Sequence, residues 1–211
     1  MKPNTCLLII LLFTSARLAS AQNCLLMLDG DTTFAHTADA QIYNSVEDNA
    51  VTVLEQGEKK GVGYGESAGY FAKFDLSQHP SSKNLQVALS AGLLGVAPTE
   101  SSQNDLSRYG LRIKAKVEGP GGPYKGYFRI AFSQTTSEPL VILKSEPVEF
   151  TSEWQEFDLQ NLKFDGEFLD TMISGYRFVG FRMLLTNAGE MTGLTDPISL
   201  HFDDVCFYLK E

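Results

Sequence analysis

The sequence predicts an all-β fold, a two-sheet antiparallel β-sandwich whose N- and C-terminal strands are adjacent. Three observations carry this expectation. Short apolar runs alternate with turn residues along a chain containing 18 Gly and 8 Pro, and little of it keeps the 3.6-residue period of a surface helix. The runs are rich in aromatics, 14 Phe and 8 Tyr, which suit a pleated, half-buried surface. Cys24 and Cys206 stand inside apolar runs near opposite ends of the chain, so a bridge between them would require the terminal strands to meet or to face each other.

The first residues read as an export signal. Lys2 supplies a positive start, residues 7–13 an apolar stretch too short to span a bilayer, and Ala19-Ser20-Ala21 a small-residue cleavage site. Residues 1–21 are therefore expected to be a signal peptide, and residues 22–211 a single β-sandwich domain, secreted or otherwise extracytoplasmic. Export removes Cys6 and favours pairing of the two remaining cysteines. The entropy of closing so long a loop would contribute roughly 4–5 kcal/mol. Two free buried thiols are the open alternative. Loss of Lys2 and Arg17 takes the basic count from 17 to 15 against 26 acids, and the net charge from −9 to −11. That balance argues against nucleic acid or an anionic membrane surface as a partner.

Strands are expected at 24–28, 50–54, 69–76, 85–93, 109–117, 127–133, 140–144, 147–150, 154–159 and 177–185, closing with 198–209. In YGLRIKAKV, residues 109–117, Leu111, Ile113, Ala115 and Val117 alternate with Arg112, Lys114 and Lys116, a half-buried strand. Gly and Pro in GPGGPYKG, residues 119–126, forbid its continuation and suggest a hairpin with 127–133. A polar loop is expected over 98–107 and a short helical turn near 167–173. In the closing run, ISLHFDDVCFYL, two adjacent carboxylates sit inside an apolar strand. Such a pair is costly unless it is solvated at an edge, hydrogen-bonded or bound to a cation.

Three segments taken together resemble a known family: EFTSEWQEFDL (149–159), YRFVGFRM (176–183) and SLHFDDVCFYL (199–209). Their order is similar to the last half of a galactose-binding-like β-jelly roll, as found in non-catalytic carbohydrate-binding modules. LDGDTTF, residues 28–34, resembles the opening turn of the same domains. The resemblance implies a jelly roll that binds a polysaccharide or glycoconjugate. It also implies a structural calcium between the opening turn and the terminal acids, with Asp29, Asp31 and Asp203 as ligands. Calcium takes six to eight oxygens, so backbone oxygens would have to complete the shell. Ala35 stands where an acid is frequent. In the competing view Asp29 and Asp31 only build a turn, and Asp203 or Asp204 hydrogen-bonds the backbone.

Signs of catalysis are missing. The paired carboxylates of glycosidases are not evident, and His36, His79 and His201 lack metal-ligand spacing. No Gly-x-Ser-x-Gly elbow occurs. YFRIAFSQ (127–134) resembles part of a strand of some alginate lyases, but the companion motifs are absent. The chain is therefore expected not to be an enzyme. Sugar recognition needs aromatic faces bracketed by polar forks. Outward positions on the central strands are expected to offer Tyr109, Arg112, Tyr127, Arg129 and Arg182 as ligand-binding residues. Trp154 is expected to pack structurally at the core edge, His36 and His79 to be solvated, and His201 to be structural. The alternative function is a structural or adhesion protein of the cell envelope or extracellular matrix, using the same scaffold for protein contacts.

Overall fold

Alternation along ten residues of one strand shows how the sandwich is built. In Tyr109–Glu118 the residues at odd positions from 109 to 117 are buried, and Arg112, Lys114 and Lys116 lie on the solvent side. The computed structural model describes residues 24–28, 36–43, 51–80, 84–94, 104–105, 108–133, 139–164, 172–173 and 178–210. Its strands, in chain order, are β1 (Cys24–Leu28), β2 (His36–Tyr43), β3 (Thr52–Lys60), β4 (Ala68–Asp75), β5 (Gln86–Leu94), β6 (Asn104–Asp105), β7 (Tyr109–Glu118) and β8 (Tyr124–Ser133). There follow β9 (Pro139–Lys144), β10 (Val148–Phe150), β11 (Gln155–Leu159), β12 (Lys163–Phe164), β13 (Met172–Ile173), β14 (Phe178–Leu185) and β15 (Ile198–Leu209).

Two antiparallel sheets face each other. The back sheet runs β11-β7-β15-β4-β3, with β1 paired to the far half of β15. The front sheet runs β12-β9-β8-β14-β5-β2, with β10 paired to β8. First and last strands are thus adjacent, and Cys24 and Cys206 form a disulfide with Cα atoms 5.3 Å apart. Between the sheets an aromatic chain fills the core. Phe128 of β8 meets Phe150, Phe157 and Phe181 at 5.2–5.8 Å. Phe181 meets Phe202 of β15 at 4.8 Å, and Phe202 stacks on Tyr70 of β4 at 5.1 Å. Each such pair adds about 0.5–1.5 kcal/mol beyond its burial.

Several expectations need correction. β7 and β8 do not form a hairpin: β7 pairs with β11 and β15, β8 with β9, β10 and β14. The Gly/Pro loop carries the chain from one sheet to the other, and Gly119, Gly121 and Gly122 all have positive φ. Two strands that bury opposite sides of one core show the same alternation as two strands paired in one sheet, so periodicity alone could not separate these cases. β3 runs on through EQGEKK because it is an edge strand whose charges face solvent. β2 was missed because its small and polar residues mask the period, although Ala40 and Ile42 pack on the core. The proposed helical turn contains β13, paired with β6 inside the expected polar loop; residues 165–171 lie outside the described residues.

Candidate functional site

Strand register on the front sheet brings three of the five expected ligand-binding residues together. Phe128, Ile130, Phe181 and Met183 face inward and are buried, so the alternating positions Tyr127, Arg129 and Arg182 lie on the outer face. Arg182 of β14 stands opposite Ser90 of β5 on one side and Arg129 of β8 on the other. Arg129 in turn stands opposite Lys144 of β9. Lys144 stands opposite Lys163 of β12, so four cations occupy one row across four neighbouring strands, about 4.8 Å apart in the strand-to-strand direction, and Asp39 of β2 stands opposite Ser90 at the other end of the row.

Two tyrosines frame this row. The Arg182 guanidinium lies 5.4 Å from the Tyr43 ring centre, and its Nε donates to Ser90 Oγ at 3.0 Å. To reach Tyr43 on β2 the side chain must cross β5 over Ala88. Ala88 and Leu184 are buried although they lie on the outer face and apart from the main core cluster. Lys144 Nζ sits 3.9 Å above the Tyr127 ring. Burial holds the Arg182 pKa below its usual value; Tyr43 opposes this, the Arg129 charge adds to it and Tyr127 opposes it again. Beside the cation row, Gly92, Gly180 and Ala131 form a row with almost no side chain. A Cβ built on Gly180 would meet only the Ala131 Cβ, at 4.0 Å. A glycine inside a strand often marks the close approach of a ligand or another backbone.

The other two expected residues lie elsewhere. Tyr109 is buried at 7% exposure, stacked on Phe207 at 4.9 Å. It shares the parity of Leu111 and Ile113, so the alternation that put those two inward also puts Tyr109 inward. Arg112 belongs to the outer face of the back sheet. There it lies 5.1 Å from the Tyr208 ring centre and 3.8 Å from Asp158.

That outer face also holds the acid pair. A bulge interrupts the pairing of β15 with β7 between Asp203 and Cys206, and Asp204 adopts φ 51. Asp203, 1% exposed, accepts hydrogen bonds from the Tyr64 backbone N–H at 3.0 Å and the Asp204 N–H at 2.9 Å. Ser67 Oγ lies 2.7 Å from Asp203 Oδ2 and 2.7 Å from the Tyr64 carbonyl oxygen. Asp204 pairs with Lys114 at 2.7 Å. Asp203 therefore clips residues 61–67 over the sheet, and the pair lies in a central strand instead of at a solvated edge. Trp154 packs on this face, not at the core edge, edge-on to Tyr64 and His201 at 6.2 and 6.3 Å. His201 is buried, 3.4 Å from Glu118 Oε2, and His79 is buried instead of solvated, its Nδ1 2.7 Å from the Pro80 carbonyl oxygen.

A crystal structure of a family 30 carbohydrate-binding module matches with a TM-score of 0.51 and 10% identity, covering 88% of this chain and 100% of that one. The fold is that of a carbohydrate-binding module. Two modules of Clostridium thermocellum cellulosomal cellulases are also similar. The family 30 module has a TM-score of 0.49 and 11% identity, covering 89% of this chain and 99% of its own; the family 11 module has 0.49 and 8%, covering 88% and 94%. No protein-family model matches the sequence, and no curated protein does.

Asp203, expected as a calcium ligand, accepts from the backbone N–H groups of Tyr64 and Asp204 and lies within reach of Ser67 Oγ. Asp29 and Asp31 lie outside the described residues. Among the described residues no group of three or more His, Cys, Asp or Glu gathers as a metal site. Sequence reasoning missed Tyr43, Ser90, Lys144 and Gly180 as parts of the front face. Tyr43 was lost with its unrecognised strand. Lys144 and Ser90 could have been found by counting parity along 140–144 and 85–93, but the neighbours that make them a row belong to distant segments.

Proposed function

We propose that this chain is a secreted, non-catalytic polysaccharide-binding protein whose ligand lies across the outer face of the front sheet. The observation that carries the reading is the meeting of Tyr127, Arg129 and Arg182 beside the open floor at Gly180. Aromatic faces can stack on sugar C–H groups, and guanidinium forks can address hydroxyls or carboxylates. The shared module fold supports the same class of ligand. A non-catalytic role is supported by the chemistry of this face. Among the described residues, the row from Gln41 to Tyr127 carries Gln, Ala, Leu and Tyr, and the row from Asp39 to Lys163 carries Asp, Ser, Arg and Lys, with one carboxylate and not the pair of a glycosidase. The Cys24–Cys206 bridge supports an oxidising, extracytoplasmic setting. No helix among the described residues is long and apolar enough to cross a membrane.

Affinity electrophoresis and calorimetry against a panel of neutral and acidic polysaccharides test the reading. Retention that weakens in Tyr127→Ala and Arg129→Ala, with an unchanged melting midpoint, is the expected result. A folded protein retained on no polysaccharide would refute it, and concentration-dependent self-association would then favour the structural role.

A further inference from the structure

The back sheet carries an aromatic corner on the side away from the core. The parity that sends Ile113, Ala115 and Val117 inward sends Lys114 and Lys116 outward, and their partners on β15, Asp203 and His201, share that outer side. Trp154, one residue before β11, and Tyr64, on the loop that Asp203 holds, meet above these residues. Their ring centres are 6.2 Å apart and their planes stand at 88°. Lys114 Nζ lies 3.7 Å from the Tyr64 ring centre and Lys116 Nζ 5.2 Å from that of Trp154. Both lysine side chains are largely covered, at 21% and 16% exposure, whereas Tyr64 is 43% exposed and Trp154 half-buried. The rings thus roof the lysines and turn their other faces to solvent. The corner is also fixed in place: Asp203 accepts from the Tyr64 N–H, and the Gly61 and Gly63 N–H groups both donate to the Ser67 carbonyl oxygen. Among the described residues, the two non-glycine residues with positive φ are Glu66 and Asp204, one on each side of this joint. Such conformations are disfavoured outside glycine and collect at functional sites.

We propose that this corner is a second binding site, on the sheet opposite the front face, for a neutral saccharide whose pyranose ring stacks on Trp154 against Tyr64. It goes beyond the front-face reading and does not depend on it. Charge selects the ligand. Lys114 is paired with Asp204 and Lys116 with Glu118, so each cation beneath the rings is matched by an acid. Glu66 and Glu153 are exposed on the two segments that carry the rings; they add acceptors and disfavour an acidic ligand. The ammonium groups already seated against the rings disfavour a cationic one, which would compete with them for the same ring electrons. A neutral ligand remains, with an apolar face for the indole and hydroxyls that both donate and accept, as ammonium and carboxylate groups side by side require. A pyranose has both surfaces: its axial C–H groups pack on an aromatic face while its equatorial hydroxyls point to the rim.

The chain contains a single tryptophan, so its fluorescence reports on this corner. The test titrates the full chain, with its bridge intact, with cellohexaose, xylohexaose and mannohexaose at low and at moderate salt. Polygalacturonate and an oligoproline peptide serve as acidic and non-sugar comparisons. The expected result is a saturable change in Trp154 emission with at least one neutral saccharide, at the same affinity at both salt levels. Tyr64→Ala should weaken that affinity about five- to ten-fold, the range for one aromatic contact, and Arg129→Ala, on the other sheet, should leave it unchanged. Should Tyr64→Ala fail to fold, acrylamide quenching of the native chain gives the same reading, because bound saccharide should shield Trp154. No emission change and no shielding with any saccharide would overturn the site. So would a response untouched by a folded Tyr64→Ala, or one that disappears in Arg129→Ala, which would move the effect to the front face. A response to polygalacturonate alone that fades with salt would overturn the neutral ligand, and a response to oligoproline alone would overturn the sugar. Retention on a polysaccharide without any change at Trp154 would remove this inference and leave the front-face reading standing.

Discussion

The Asp203 carboxylate accepts a hydrogen bond from the Tyr64 backbone N–H at 3.0 Å, joining the closing strand to a loop 139 positions earlier. The same carboxylate also holds the Asp204 N–H and lies within reach of the Ser67 hydroxyl. Gly63 is part of this joint, because a Cβ there would come within 2.6 Å of Asp203 Oδ2. Asp203→Ala would leave two backbone donors unpaired beneath the loop. At about 1–3 kcal/mol for each unpaired buried group, the expected loss is about 3 kcal/mol of unfolding free energy. Denaturant titration measures it, and limited proteolysis should find new cleavage within residues 61–67. Asp203→Asn should recover only part of the loss, since its amide turns one donor toward another.

Acid should destabilise the fold through His201. Burial lowers its pKa to about 4, against the attraction of Glu118, and the Lys116 charge lowers it further. The folded ring thus resists a proton that the unfolded ring accepts near 6.5. Its contribution to stability is complete above about pH 6.5 and is lost as pH falls toward about 4. That window is worth up to about 3 kcal/mol. Asp203 has the opposite sign: burial raises its pKa, so protonation at low pH relieves a buried charge. Urea midpoints measured from pH 7.5 to pH 4 should decline in the native chain and decline less in His201→Gln, which leaves Asp203 in place.

The bridge gives a second stability test. Cys24 and Cys206 are 182 positions apart, and a loop of that size is expected to contribute roughly 4–5 kcal/mol by restricting the unfolded chain. Reduction, or the double change Cys24→Ser and Cys206→Ser, should lower the unfolding free energy by about that amount. β1, which among the described strands pairs only with β15, should then be the first segment to lose protection in hydrogen exchange.

The sequence made the sandwich legible because burial on one side writes itself as a two-residue period, as in Leu111, Ile113, Ala115 and Val117. The joining of the terminal strands was legible because Cys24 and Cys206 stand inside apolar runs near opposite ends of the chain. Sheet membership was not, since β7 and β8 look alike whether they pair or face each other across the core. The acid pair showed that something had to satisfy it, but its partners at Tyr64 and Ser67 lie 139 and 136 positions away. The candidate site was half legible. Tyr127, Arg129 and Arg182 could be read as outward-facing, while their row is created by register among strands far apart in the chain.

Two glycines of the front sheet separate folding from binding. At Gly126 of β8 an added Cβ would fall 1.9 Å from the Leu184 carbonyl oxygen and 2.8 Å from the Phe150 ring. Backbone cannot yield there cheaply, so Gly126→Ala should destabilise the fold by about 3 kcal/mol or prevent its accumulation, the upper end of what overpacking costs. Among the described residues Gly180→Ala meets only the Ala131 Cβ, at an ordinary contact distance of 4.0 Å, and its melting midpoint should stay the same or rise slightly, because glycine weakens a strand interior. A larger group at the same position, Gly180→Val, should also fold, yet should lower affinity for the proposed polysaccharide at least ten-fold by standing in the path proposed for it. Thermal melts and binding isotherms on the three variants check the contrast. If Gly180→Val is stable and still binds at full strength, the ligand does not cross that floor.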